Sequence, residues 1–292
     1  MSSPRRTASR LEFPVKDFSL PGVMFFGRYQ YAASRPALGG HSHPGEMEIC
    51  FLERGEQTYR VGGRSYRLRG HDQFFTQPDE VHDTANLPEE RSILYWLILN
   101  LKRSRKFLGL SGHSALELQR QLRGMPTRHF RAHPETARLL GRLIDLLLER
   151  RRLGSAFPPY REPRVQSLLL EYLTLTIAAS HRGSLGTASP LMQRVLQHIE
   201  RHLDDPIHVP RLGQVARLSE SRFKSRFKAE IGVPPAEFWL RKKIERAVFL
   251  LKSHSVTVVA HELGFSSSQY FATVFKRYTL VNPSRFHAPK IS

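Results

Sequence analysis

The fold of this chain is decided by a stretch that occurs twice near its C-terminus, SESRFKSRFK at 219–228 and SSQYFATVFK at 267–276. The phenylalanines of the first copy, Phe223 and Phe227, have counterparts 48 positions later. Two phenylalanines four residues apart lie on one face of a helix and form a buried pair. In each copy a short apolar helix, a turn and a serine precede this helix, which is typical of a helix-turn-helix. The repeat therefore predicts two helix-turn-helix units in tandem.

The opposite face of each predicted recognition helix is polar and basic. Hydroxyl and amide groups bond base edges in the major groove, and lysine or arginine side chains contact phosphates. The predicted DNA-binding residues on the two helices are Ser221, Arg222, Lys224, Ser225, Lys228, Ser268, Gln269, Thr273 and Lys276. Between the copies, residues 235–252 are predicted to form one helix, on which Arg241 is expected to contact phosphate. Two such units on one chain indicate a protein that reads double-stranded DNA.

The composition agrees with a nucleic-acid partner. The 292 residues carry a formal net charge of +19, which attracts polyanions. Residues 191–292 hold 17 lysines and arginines against 8 acidic residues, so about half of the excess lies upstream of the repeat domain. The single cysteine, Cys50, rules out an intramolecular disulfide and a four-cysteine zinc site.

The sequence also bears on location. Its first ten residues lack the apolar core of a secretory signal, and no run approaches the roughly 20 apolar residues of a membrane span. We therefore predict a cytoplasmic protein with no membrane partner. Residues 1–18 are expected to form a flexible basic tail.

Two domains are predicted from the pattern of apolar residues. The first begins with short runs rich in aromatic and β-branched residues between turn signals such as Gly62-Gly63, which favour a β-barrel. Leucines at helical spacing then predict helices at about 134–152 and 163–181. The predicted division is a barrel with flanking helices at 19–182, a linker at 183–190 and an all-helical domain at 191–292. The fold class is therefore α+β with two domains.

The C-terminal domain resembles the DNA-binding domain of AraC/XylS-type transcriptional regulators. The resemblance rests on the stretches LSESRFKSRFK at 218–228, GVPP at 232–235, KIERA at 243–247 and GFSSSQYF at 264–271. It implies two helix-turn-helix units that bind adjacent major-groove segments. The base-reading positions that it implies are Ser221, Lys224, Ser225, Ser268, Gln269 and Thr273.

Three residues depart from the family pattern. Leu280 and Arg217 stand where the family usually has glycine, and Gly213 stands where it usually has alanine. The end of the last recognition helix is affected most, because a non-glycine residue there must either avoid the left-handed conformation or be strained.

A second group of polar residues, His41, His43, Glu48 and His82, lies in the β half. Their spacing resembles the two boxes of the cupin barrel, which AraC-type regulators commonly carry at the N-terminus. In metal-binding cupins the corresponding residues hold a divalent metal, a role that suits three imidazoles and a carboxylate. The alternative is an organic effector, such as a sugar, bound by these four residues.

We expect the organic effector and no metal cofactor, because Glu80 stands where the second cupin box usually has glycine. Aromatic barrel residues are expected to line the effector pocket, and the two chosen for this role are Tyr29 and Trp96. The cupin-like barrel is thus predicted to sense a small molecule rather than to catalyse a reaction.

These features predict a sequence-specific DNA-binding transcriptional regulator that is not an enzyme. The resemblance implies an effector-responsive activator of catabolic genes of the carbohydrate type, which would contact RNA polymerase. The apolar helices at 134–152 and 163–181 are expected to pair in a homodimer. Two other functions stay open: a metal-dependent cupin enzyme with a fused DNA-binding domain, and an architectural DNA-binding protein whose barrel senses nothing.

Overall fold

The computed structural model describes residues 9–18, 20–31, 34–85, 87–182 and 189–286. The chain divides into two compact units. Unit 1 contains Met1–Ala32, Gly39–Ala85 and Ser92–Leu185, and unit 2 contains Ala33–Leu38, Asn86–Arg91 and Gly186–Ser292. The predicted division into a β-rich half and a helical half is therefore right, except that two short loops from the first half belong to unit 2.

Unit 1 is built on antiparallel strands arranged in two main sheets. A six-stranded sheet has the order β1-β2-β8-β3-β6-β11, and a three-stranded sheet has the order β5-β4-β7. The strands are β1 (Ser9–Pro14), β2 (Val23–Gln30), β3 (Glu46–Arg54), β4 (Glu56–Val61), β5 (Arg64–Arg69), β6 (Asp72–Thr76), β7 (His82–Asp83), β8 (Ile93–Asn100), β9 (Lys106–Phe107), β10 (Leu110–Ser111) and β11 (His129–Arg131).

The large sheet is buried on both faces because its side chains alternate between two cores. On β3, Cys50 and Leu52 join an aromatic cluster that includes Tyr59 and Leu68 of the small sheet. The intervening residues of β3, Ile49 and Phe51, join a larger cluster with the helices of unit 1. One face of the large sheet therefore closes against the small sheet as a barrel, and the other face is covered by helices.

Part of the predicted N-terminal tail is a strand of this barrel. Residues 1–8 lie outside the described residues, but β1 pairs along its whole length with β2. Phe13 is fully buried, and its ring lies 6.2 Å from the ring of Phe26. The prediction of a flexible tail over 1–18 is therefore wrong from residue 9 onward, because the short alternation of Leu11 and Phe13 supplies an apolar face to the sheet.

Three α-helices complete the described part of unit 1: α1 (Gly112–Arg123), α2 (Thr136–Leu153) and α3 (Glu162–Arg182). Helices α2 and α3 match the predicted segments to within two residues, and most of their leucines are buried or half-buried against the large sheet. Helix α1 was not predicted individually. Across the described parts of the chain, every helix is too short or too polar to span a lipid bilayer.

Unit 2 is helical, as predicted. Its helices are α4 (Pro190–Arg201), α5 (Val209–Val215), α6 (Glu220–Ile231), α7 (Pro235–Leu250), α8 (Val256–Glu262) and α9 (Ser268–Thr279). Most of the predicted linker, residues 183–188, lies outside the described residues. Its last two residues begin α4 instead, because the Ser189 side chain caps the helix and Pro190 occupies its first turn.

Two separate cores hold unit 2 together. Phe223 and Phe227 of α6 pack with Phe238 and Trp239 of α7 in the first core. In the second core, the phenylalanines of α9 pack against Ile244, Ala247 and Leu250 of the same helix α7. Helix α7 thus contributes to both cores, and each core carries one helix-turn-helix unit.

Candidate nucleic-acid interface and ligand site

The two recognition helices, α6 and α9, are fixed from behind by their phenylalanines. Phe223, Phe227, Phe271 and Phe275 are all fully buried, and the rings of each pair lie 5.5 Å apart. Ile231 of α6 and Val274 of α9 are buried with them, and the predicted polar positions lie on the opposite side of each helix. This arrangement agrees with the aromatic spacing in the sequence.

The predicted DNA-binding residues lie on these free faces. Base and phosphate contacts need accessible side chains, and the exposed ones are Ser221, Arg222, Lys224, Ser225, Lys228, Gln269, Thr273 and Lys276. Ser268 is half-buried. Some already have local partners: Lys224 pairs with Glu220, and the Thr273 hydroxyl donates to the backbone oxygen of Gln269 at 3.0 Å. Their base and phosphate contacts stay a prediction.

Only the second recognition helix has the expected serine cap. The Ser267 hydroxyl accepts a hydrogen bond from the backbone N–H of Tyr270 at 3.1 Å. Ser219 occupies the equivalent N-cap position of α6, but its side chain makes no capping bond to a described residue. The start of α6 therefore depends more on its packing than on its cap.

Arg241 requires a correction. It was predicted to contact phosphate, but only 3% of its side chain is exposed, and its guanidinium pairs with Glu237 at 2.9 Å and with Glu90. The sequence shows a basic run on α7 without showing that Arg241 lies on its inner face. Its charge is matched inside unit 2, so we remove Arg241 from the DNA-binding set.

Lys243 of α7 is a buried residue whose role the sequence did not indicate. Its ammonium group donates to the backbone oxygens of Asp205 and Leu263 at 2.5 and 2.6 Å. Burial lowers the pKa of this lysine to about 8. The two carbonyls belong to the segment before the first helix-turn-helix and to the turn of the second. Lys243 therefore connects the two helix-turn-helix units within unit 2.

His41, His43, Glu48 and His82 are brought together in unit 1, and their donor atoms all lie within 4.8 Å of one another. Paired backbone hydrogen bonds between His41 and His82, at 3.1 and 2.9 Å, hold the segments that carry them side by side. Glu48 extends from β3, and its carboxylate lies 2.9 Å from Nε2 of His82 and 3.6 Å from Nε2 of His43. We call these four residues the histidine cluster.

Electrostatic interactions within the histidine cluster shift the pKa values of Glu48 and His82. Burial opposes ionisation of Glu48, but the imidazoles of His43 and His82 outweigh burial and lower the pKa of this carboxyl to about 2. Burial also acts to lower the pKa of His82, yet its bond to Glu48 produces a net rise. Glu48 is therefore an anion that can bind a cation or accept hydrogen bonds at neutral pH.

The other two predicted effector residues lie inside the barrel. Tyr29 stacks on Tyr31 with ring centroids 4.1 Å apart, and Trp96 stacks on Phe25 at 5.9 Å. Tyr29 and Trp96 are 3% and 8% exposed. They belong to the aromatic cluster between the sheets, so packing accounts for both, and their contact with an effector stays a prediction.

The matches to known families follow the same division. The family described as AraC-like ligand binding domain matches residues 27–173, and a helix-turn-helix domain family matches residues 212–288. The first match covers half of the chain and contains the histidine cluster. The second contains both recognition helices.

The chain belongs to the AraC family of transcriptional regulators. Its AraC-family relatives include the MmsAB operon regulatory protein of Pseudomonas aeruginosa, 29% identical over 251 residues that cover 82% of this chain and 75% of the relative. The transcriptional activator RhaS of Escherichia coli is 24% identical over 232 residues, which cover 79% of this chain and 81% of RhaS.

A solved structure similar to part of this chain is the C-terminal domain of the two-component response regulator yesN from Fusobacterium nucleatum. It is 26% identical, and the match covers 34% of this chain and 100% of that domain with a TM-score of 0.33. The two family matches and the relatives identify the protein as a DNA-binding transcriptional regulator with a ligand-binding domain. The relatives give no support to the alternative of a cupin enzyme.

Proposed function

We propose that this regulator binds its operator through α6 and α9 and changes its occupancy when unit 1 binds an effector. The observation that supports the proposal is the tandem arrangement of two recognition helices. Each is held against a core by a buried phenylalanine pair and is polar on its exposed face. Side chains on such faces enter the major groove. Effector binding shifts the equilibrium between two states of a regulator only if the effector prefers one of them.

The proposed regulatory output is activation of catabolic genes, through contact with RNA polymerase. Support comes from the relatives, since RhaS is named a transcriptional activator and the MmsAB protein is named for the operon that it regulates. A small metabolite is the proposed effector, and the sugar expected from the resemblance is one candidate class. No catalytic turnover is part of this function.

A homodimer is the proposed assembly, with α2 and α3 as the dimerising elements. Support comes from Leu148 of α2, which has 38% of its surface exposed, whereas the other leucines of this helix are buried or half-buried. A dimer would present four recognition helices and so bind a longer operator than one chain can. Light scattering by the purified chain measures this directly, with twice the monomer mass expected.

The histidine cluster fits a divalent metal ion, the alternative that the sequence left open. The Nδ1 atoms of His41 and His82 lie 3.0 and 3.1 Å from the backbone oxygens of Gly39 and Glu80, which orients Nε2 of each ring toward the cluster. Nε2 of His43 is buried without a hydrogen-bond partner among the described residues. We therefore propose that His41, His43, Glu48 and His82 hold one metal ion, which would supply a Lewis-acidic site when bound.

Footprinting of the full chain on the promoter regions beside its own gene tests the regulatory proposal. We expect protection of two adjacent major-groove segments on one face of the duplex for each chain. Gln269→Ala combined with Ser221→Ala should abolish the footprint while the chain stays folded. Protection that is equally strong on unrelated DNA would contradict a sequence-specific regulator.

A further inference from the structure

A cleft of about 700 Å³ opens on unit 1, and no residue of the histidine cluster lines it. It lies where β5 runs beside the end of β6 and the segment that leads from α1 into β11. The residues that line it are Arg64, Ser65, Tyr66, Arg67, Phe75, Gln77, Met125, Pro126, Thr127, Arg128 and His129. Its volume is within the range of about 300–1,000 Å³ that small-molecule sites occupy.

The cleft is lined by cations, and none of the described residues that line it is acidic. Most of these cations are neutralised from behind. Arg67 lies 2.7 Å from Glu56, which is 2% exposed, and Nε2 of His129 lies 2.9 Å from Asp72. Such pairs hold the guanidinium and the imidazole in place, and Glu56 offsets the charge of Arg67.

Arg128 is also held in this way. Its guanidinium makes a two-pronged contact with Glu80, with one of the two bonds at 2.7 Å, and donates to the backbone oxygen of Phe75 at 3.0 Å. Arg64 differs from these residues, since it forms no ion pair with any described residue. It lies over the ring of Tyr66, 5.4 Å from the ring centroid, on the exposed side of β5. The cleft therefore presents one uncompensated positive charge.

The wall beside this charge is apolar and partly aromatic. Tyr66 is half-buried against Phe74, with ring centroids 5.2 Å apart, and Phe75 and Met125 are buried. Ser65 and Thr127 add hydroxyl groups at the lining. One free guanidinium beside such a wall complements a ligand with one negative charge and an apolar body.

We infer that this cleft binds a small organic monocarboxylate, and that Arg64 is the residue that pairs with its carboxylate. A guanidinium bonds a carboxylate through two parallel N–H donors. A phosphate monoester fits less well, because its second charge would need another free cation and the remaining ones already face acidic partners. The inference rests on the proposed function, since it names the chemical class of the effector that unit 1 would sense.

The test measures binding of benzoate to the full chain by isothermal titration calorimetry, with benzamide and inorganic phosphate as comparison ligands. Benzamide keeps the ring and removes the charge, and phosphate keeps the charge and removes the ring. We expect benzoate to bind at millimolar concentrations and the other two to bind much more weakly. Equal binding of benzamide, or no binding of benzoate, would overturn the inference.

Arg64→Gln assigns the binding to the cleft. Loss of a charged hydrogen-bonded partner should weaken benzoate binding about 10- to 100-fold. The matched control is Arg152→Gln, which removes the same charge from an exposed position on α2 and should bind benzoate like the wild type. Arg64→Lys should give an intermediate affinity, because it keeps the charge and loses the second donor. Unchanged affinity in Arg64→Gln would place benzoate elsewhere.

Operator binding separates this inference from the proposed function. Both Arg64→Gln and Arg152→Gln should footprint operator DNA like the wild type without ligand, because α6 and α9 are unchanged. A wild-type chain that footprints its operator but ignores benzoate would refute the monocarboxylate site alone. A chain that binds benzoate through Arg64 without any footprint would refute the regulatory proposal and leave the site intact.

Discussion

Two single residues of unit 2 adopt a backbone conformation that glycine favours. Arg217, in the turn of the first helix-turn-helix, has a φ of 52°, and Leu280, at the end of α9, has a φ of 66°. The backbone N–H of Leu280 bonds to the oxygen of Lys276 at 2.9 Å, so the residue closes the helix in a left-handed C-cap. Leu280 therefore keeps the left-handed C-cap although the family's usual glycine is absent, and its backbone is strained.

This strain predicts that Leu280→Gly stabilises unit 2. Relief of the left-handed conformation is offset in part by the greater chain entropy of glycine, so we expect a gain of about 0.5–1 kcal/mol. Urea unfolding followed by tryptophan fluorescence in a Trp96→Phe background, which leaves Trp239 as the one tryptophan, measures it. Leu280→Ala is the control, since alanine keeps the Cβ atom and the strain. An equal gain in Leu280→Ala would show that side-chain contacts, not φ, cause the effect.

At the residue scale, the sequence predicts what depends on local spacing. The phenylalanine pairs could be assigned to a buried face because a helix repeats every 3.6 residues. Arg241 could not be assigned to the interior in the same way, because its acidic partner Glu90 is about 150 positions away in the chain. The cleft around Arg64 was also missed, since three distant segments form it.

At the element scale, we expect the Gln269 amide of α9 to contribute to discrimination between operator DNA and random DNA. Gln269 is exposed near the start of the helix, and glutamine bonds adenine through two groups. We expect Gln269→Ala to cost about 1–3 kcal/mol on operator DNA and much less on random DNA. Lys276→Ala, on the same helix, should weaken both by similar amounts. Competition binding with the two DNAs makes the comparison, and parallel losses for Gln269→Ala would exclude base reading by this residue.

Strands and helices differ in how well the sequence predicted them. The long strands and α2 and α3 were predicted because each has many residues in one pattern. Strand β1 was assigned to the tail and the three-residue β11 was not predicted, because both depend on pairing with distant strands, β2 and β6. The histidine cluster was predicted only as a resemblance, and the strands that carry it explain why its members meet.

The metal ion proposed for the histidine cluster would be held by residues of these strands and the segments beside them. If the histidine cluster holds a divalent ion, purified chain should contain about one equivalent by elemental analysis, and His43→Ala should lose most of it, since one of four ligands is removed. His113→Ala is the control, because His113 is exposed at the start of α1. Metal content near zero in wild-type protein that has been kept from chelators would favour the metal-free site expected from the sequence.

At the scale of the whole molecule, the net charge of +19 and the two recognition helices act together on one observable, the salt dependence of DNA binding. Each phosphate contact made by a lysine or arginine contributes about 0.9 to the slope of log affinity against log salt. Lys228 is exposed on α6, and no described carboxylate pairs with it. Its removal therefore reports a phosphate contact without disturbing a local ion pair.

The change in the salt-dependence slope on removal of Lys228 also measures how many chains bind one operator. We expect Lys228→Ala to reduce the slope by about 1.8, because a bound homodimer loses two contacts, whereas a single bound chain would lose about 0.9. Affinity titrations over a series of salt concentrations give both slopes. Lys106→Ala, which removes an exposed lysine from β9 of unit 1, should leave the slope unchanged. A change in slope near 0.9 would contradict a bound dimer. An unchanged slope would show that Lys228 does not contact phosphate.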